Sequence, residues 1–185
     1  DALARCEFLA VAAVSGNGSR GRIRLAAQLN RQQLEELFGS QISTEDSVSV
    51  SDDGAVLARR RQTLGSLLLR DEPLPRPDAG TCAEALCEFI RQGGPQILAR
   101  LPWNDEIRQW RARVSLLHEL DGDPWPDLSD AALLEHPETW LAPYLMDCAA
   151  LRRLTSGRLL EALRAQLPYA LARRLEQEAP DSWQV

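Results

Sequence analysis

The sequence contains no lysine: all 21 basic residues among its 185 are arginines. A P-loop places a lysine on nucleotide phosphates, and Schiff-base chemistry needs a lysine amine, so these residues by themselves carry neither. An arginine-rich coding bias is the plainest source of the absence. Histidine is almost as scarce, with two residues, and methionine occurs once, at Met146. His118 follows Leu117 on a helical stripe and reads as a packed residue. His136 precedes a proline and reads as a helix terminator. The four cysteines, Cys6, Cys82, Cys87 and Cys148, make no C-x-x-C spacing. They offer no zinc-site pattern, and reduced, mostly buried thiols of a cytoplasmic protein are the expectation.

Long apolar runs are missing too. Nothing approaches the roughly 18–20 residues that span a bilayer, and the N-terminus shows no signal-peptide pattern, so no membrane partner is expected. The chain does not open on Met, which suggests a piece of a longer polypeptide. A hydrophobic share of 44% beside a charged share of 26% is that of an ordinary globular protein. The net charge of −6 argues against a dedicated nucleic-acid domain. Its distribution is uneven: residues 1–72 hold nine arginines against ten acids, whereas residues 73–185 hold twelve against seventeen. The first part is near neutral and has room for a local basic face.

Hydrophobic periodicity divides the chain. Arg22 to Leu29 alternates, with Ile23, Leu25, Ala27 and Leu29 on one face and Arg22, Arg24 and Gln28 on the other, the period of a strand. Asn30 is placed to cap a short helix carrying Leu34, Leu37 and Phe38. Ser47 to Ser51 alternates again before the turn signal Asp52-Asp53-Gly54, and Ala55 to Arg70 reads as one or two strands. A small twisted sheet or a partly closed, barrel-like and OB-like module fits that order. Pro73 to Gly80 breaks the pattern and marks a linker. Thr81 and Glu84 spell a capping box, Gly93-Gly94-Pro95 a helix end, and Asn104 and Ser129 further helix starts. Trp103, Trp110, Trp125 and Trp140 read as core anchors. The expectation is an α+β chain: a β-rich module over 1–72 with one short helix, a proline-rich linker over 73–80, and an all-helical module over 81–185.

Two motifs invite functional readings. Gly16, Gly18 and Gly21 spell G-x-G-x-x-G after the apolar run Phe8 to Val14. In a dinucleotide fold the third glycine opens a helix whose N-terminus receives the pyrophosphate. Here Arg22-Ile23-Arg24-Leu25 alternates instead, no acid ends a following strand, and no βαβ repeat appears. A hairpin loop is the preferred reading, and a dinucleotide-binding domain ranks third among the functions considered. The second motif is Arg59-Arg60-Arg61, with Arg59 and Arg61 on one strand face and Arg60 on the other. Beside Arg22 and Arg24 these guanidiniums are the candidates for phosphate contact. The competing reading is a solvated strand paired to Asp or Glu, favoured by the lack of neighbouring aromatics for base stacking. No G-x-S-x-G, converging carboxylates or Cys-His pattern appears, so no catalytic residue is assigned and these residues are not expected to form an enzyme.

The order of landmarks carries a resemblance. "GRIRLAAQL", "LEELFG" and "VLARRRQTLGSLLLRDEPLP" are followed by "LPWN", "DPWPDLSDAALL", "ETWLAPYL" and "LLEALRAQLPYALARRLEQEAP". Together they resemble the C-terminal portion of bacterial DExH-box ATP-dependent RNA helicases of the HrpB type, along essentially the whole chain. The resemblance implies a non-catalytic accessory region that supports the motor domains of the same polypeptide and has single-stranded RNA as a prospective partner. Hydrolysis, ATP and Mg would then belong to RecA-like motor domains N-terminal to this segment, with no cofactor here. It transfers no role to a named residue. The alternative is a protein-interaction module without nucleic-acid contact.

Overall fold

In the computed structural model, residues 6–16 and 21–179 are described. Alternating residues give two strands, β1 (Phe8–Ser15) and β2 (Arg22–Leu29), paired antiparallel from Phe8 opposite Leu29 to Ser15 opposite Arg22. Two register shifts, on either side of Ala13, mark a bulged ladder. The chain between them holds the glycine motif. Gly16 has φ +128°, a conformation suited to glycine, and Gly21 leads into strand β2, not into a helix. Gly18 lies outside the described residues, as does Trp183.

Helix α1 (Arg31–Phe38) starts where Asn30 accepts from the Gln33 amide at 2.8 Å, while the Gln33 side chain accepts from the Asn30 amide at 3.0 Å. This is a complete capping box. The strands β3 (Ile42–Val50), β4 (Val56–Leu64) and β5 (Leu67–Pro73) form a sheet in the order β3-β4-β5. The α+β class is as expected, and of the two forms that fitted the β-rich part, small sheet or partly closed barrel, no closed barrel forms. Among the described residues β2 pairs with β1 and β4 has a neighbour on each side, so the strands make a two-stranded and a three-stranded sheet.

The chain divides into two compact units. The first comprises Asp1–Asp46 and Arg60–Glu72. Its interior is slight: Leu34 and Leu69 are buried, and Phe8, Leu29, Phe38 and Leu64 line a shallow cleft beside Leu34. Towards the loop end of its hairpin, Val14, Ile23 and Leu25 stay exposed.

The second unit comprises Ser47–Arg59 and Pro73–Val185. Its longest helix, α2 (Ala79–Leu98), is capped by Asp78, which accepts from the Thr81 amide at 3.0 Å and from the Thr81 hydroxyl at 2.6 Å. The capping residue is thus Asp78 where Thr81 was expected, and residues 79–80 belong to the helix. At Gly94 (φ 59°, ψ −147°) the backbone leaves helical geometry, so the Gly-Gly-Pro run ends the first helical segment of α2, as expected, and a short second segment continues to Leu98.

Helix α3 (Asp105–Asp121), capped by Asn104, buries Ile107, Trp110, Val114 and Leu117. Helices α4 (Asp130–Glu135, capped by Ser129), α5 (Pro137–Trp140), α6 (Ala142–Leu145), α7 (Ser156–Arg164) and α8 (Tyr169–Glu178) follow. Leu86 and Ile90 of α2 share one core with Trp110, Trp125, Trp140, Leu145, Leu163 and Leu175. Trp103 packs at its margin, with its Nε1 donating to the Leu98 carbonyl at 2.8 Å. The β3–β4 turn is held within this unit: Val56 N donates to Ala149 O at 3.0 Å and Leu151 N to Gly54 O at 2.8 Å. Among the described residues no helix is long and apolar enough to cross a membrane.

Candidate nucleic-acid interface

The five candidate arginines are distributed over two strands. Arg22 and Arg24 occupy one face of β2, both exposed. Arg24 Nε donates to Ser15 Oγ across the ladder at 2.6 Å. Arg22, opposite Ser15 in the register, has no ion-pair partner among the described residues.

On β4, Arg60 is clamped. Its Nε and Nη2 donate to the two carboxylate oxygens of Asp46 on β3, at 2.6 and 2.7 Å, a bidentate pair. The hydrogen bonds from Arg60 hold the Asp46 carboxyl below its ordinary range, and the same contact raises the guanidinium pKa. Arg61 points to the other neighbour, with its Nε 3.4 Å from Asp71 Oδ2 on β5. Arg59 is half-buried and already engaged, and its carbonyl accepts from Ser47 Oγ at 3.5 Å.

The arrangement separates what the sequence pattern had set side by side. Adjacent strand residues point to opposite faces, and each exposed arginine of β4 meets an acid on a flanking strand. Strand β2 lies in a different sheet, so no ladder brings Arg22 and Arg24 beside Arg60 and Arg61.

One arginine outside the candidate set does more to assemble this unit. Arg31, the first residue of α1, has its Nη2 2.8 Å from Glu7 Oε1 and 2.9 Å from the Leu69 carbonyl of β5. Its guanidinium carbon stands 5.6 Å from the Phe8 ring centroid. That places one cation over an aromatic face, on a carboxylate and on a backbone acceptor from three segments. Its only signal in the sequence is its place after the capping Asn30.

No family model matches the chain. Along its whole length, however, it is 33% identical over 192 aligned residues to the ATP-dependent RNA helicase HrpB of Escherichia coli (strain K12), of which it covers 23%. Two crystal structures of the E. coli protein, described as a DExH-box NTPase and as a DEAH/RHA helicase, give the same picture. Each is 30% identical, with a TM-score of 0.57 over 100% of this chain and 23% of theirs. The chain matches the C-terminal part of HrpB. The expected resemblance is therefore met in sequence and in fold together. The HrpB-like segment spans under a quarter of the relative's length, and neither similarity assigns a contact to any of the five arginines.

Proposed function

We propose that this chain is a non-catalytic accessory region of an ATP-dependent RNA helicase of the HrpB type, attached to the motor domains of the same polypeptide and acting with them in the cytoplasm. The observation that carries the reading is the match of both sequence and fold along the entire chain to one segment of such a helicase. ATP and magnesium would be held by the motor, which supplies the hydrolysis. These 185 residues, lacking lysine, would support it.

In this reading Arg22 and Arg24 are the leading phosphate contacts, because both are exposed and neither is tied to an acid. Arg59, Arg60 and Arg61 come second, since an RNA phosphate would have to displace Asp46 and Asp71 from two of them. Guanidiniums that contact phosphates release counterions, so binding should weaken steeply with salt.

The experiment is deletion of this region from a full-length HrpB-type helicase. Support of the motor predicts that RNA-stimulated ATP hydrolysis and strand separation fall, while nucleotide binding persists. Unchanged stimulation in the truncated enzyme would overturn the reading. A second reading, a protein-interaction module that never touches nucleic acid, is favoured by the exposed Val14, Ile23 and Leu25 of the hairpin and by the acid-paired Arg60 and Arg61. Labelled oligouridylate separates the two: salt-dependent binding lost in Arg22→Ala/Arg24→Ala supports RNA contact, and no binding at low salt supports the interaction module.

A further inference from the structure

Strand β3 is an edge strand, with β4 on one side only. Main-chain groups of an antiparallel strand alternate between its two sides. Ser51 N donates to Ala55 O at 2.9 Å, towards β4. Val48 and Val50 therefore direct their amides and carbonyls away from β4, and they have no main-chain partner there among the described residues. Such an edge is a template for another strand unless it is covered or charged.

Beside it runs α2. Val48, Val50, Ala85, Glu88 and Phe89 line one hollow of about 280 Å³. Val48, Ala85 and Glu88 continue into a second of about 560 Å³, where Glu84, Arg91 and Glu138 join the wall. The two hollows form one groove between a strand edge and a helix, floored by small and aliphatic side chains. From Thr81 to Gln92 the helix follows it for roughly 16 Å, the reach of about five extended residues.

The groove's charge is one-sided. Arg91 bridges Glu88 at 2.5 Å and Glu138 at 3.9 Å, leaving three carboxylates against one guanidinium. Glu84 has no ion-pair partner among the described residues. Three carboxylates repel a phosphate backbone and attract cationic side chains.

We propose that the groove between the β3 edge and α2 takes an extended, arginine- or lysine-bearing peptide segment of a partner protein as an added strand. Val48 and Val50 supply the main-chain hydrogen bonds. Alternate side chains of the peptide lie on the Ala85–Phe89 floor, and its cations meet Glu84 and Glu88. This is recognition by strand addition, in which backbone pairing supplies affinity and flanking pockets supply selectivity. It uses none of the arginines assigned above to RNA and stands whether or not the chain serves a helicase.

The test uses the 185-residue chain and a short fluorescent peptide of alternating valine and arginine. Anisotropy should show saturable binding in the micromolar to millimolar range, and amide exchange at Val48 and Val50 should slow on adding peptide. Glu84→Arg with Glu88→Arg should weaken binding by about tenfold or more. Glu84 is exposed and the Glu88 side chain is about half exposed, so circular dichroism should be unchanged. N-methylation of alternate peptide amides should abolish binding. The proposal is overturned by no binding at millimolar peptide, by equal binding of the N-methylated peptide, or by self-association of the chain through the same edge. Competition by oligouridylate for the groove would overturn it equally.

Discussion

Arg60 and Asp46 form a two-pronged ion pair across β3 and β4, with Nε and Nη2 at 2.6 and 2.7 Å from separate carboxylate oxygens. Both side chains are about half exposed, at 46% and 49%. Solvent therefore screens the pair, and its main effect is to occupy a guanidinium otherwise open to phosphate. Asp46→Asn should leave the thermal midpoint at neutral pH nearly unchanged. It should also strengthen oligouridylate binding at low salt, because Arg60 is released. An unchanged RNA affinity would remove Arg60 from the set of phosphate contacts.

The same pair sets an acid dependence. The Arg60 hydrogen bonds lower the folded pKa of Asp46 below its ordinary 3.8. Such a group adds stability above its unfolded value and loses it as pH falls through its folded value. The contribution is thus intact at neutral pH and fades below about pH 4. Carbon-detected titration of the Asp46 carboxyl should give a midpoint under the unfolded one, returning towards it in Arg60→Ala.

Arg31 is a sharper stability determinant in the first unit. Removing it takes away a hydrogen bond to Leu69 O, an ion pair with Glu7 and a cation over Phe8. Arg31→Ala should cost about 1–2 kcal/mol and speed amide exchange in β1 and β5. Arg31→Lys retains charge but lacks the planar fork, so it should recover part of the loss at most. Equal exchange rates in wild type and Arg31→Ala would show that the three segments hold together without it.

What was legible in the sequence was local. Asn30, Asn104 and Ser129 cap helices as their side-chain chemistry requires, and the alternation after Gly21 yields a strand as period two requires. Trp110, Trp125 and Trp140 sit in the core. What escaped depends on partners distant along the chain. The division of strands into two sheets is decided by ladder pairing, which periodicity does not encode. The acids that meet Arg60 and Arg61 lie on other strands, and Arg31 gains its role from residues 24 and 38 positions away. The Asp78 cap, by contrast, was within reach, since Asp-x-x-Thr offers a capping carboxylate as readily as Thr-x-x-Glu does.

Gly93 is required by Ile97, four residues on and beyond the break at Gly94. A Cβ there would lie 2.0 Å from Ile97 Cγ1 and 2.9 Å from Ile97 Cβ, far inside contact distance. Gly93→Ala should therefore cost about 1–3 kcal/mol by overpacking, despite alanine's better helix propensity. Ile97→Ala should relieve much of that cost, making the double variant more stable than the sum of the single changes predicts. Additive losses in urea denaturation would show that the kink at Gly94 absorbs the methyl group.

Cys87 supplies a test of the second unit's core. Burial pushes its thiol pKa up to about 12, with Glu138 adding to the rise. Cys82, Cys87 and Cys148 are buried, while Cys6 is half-exposed. Thiolate is the reactive form, so at pH 8 Ellman's reagent should modify Cys6 promptly and the other three only as the fold opens. A folded pKa above the ordinary 9.0 also means that stability is fully present below pH 9 and declines as pH rises towards 12, since the unfolded thiol ionises first. Cys87→Ala removes that dependence, so its unfolding curve should lose less between pH 9 and 11 than that of the wild type, an interval set by the ordinary thiol pKa of about 8.5–9. Rapid modification of Cys87 in the native protein, or an identical alkaline slope in the variant, would show that the thiol is accessible and the core around α2 open.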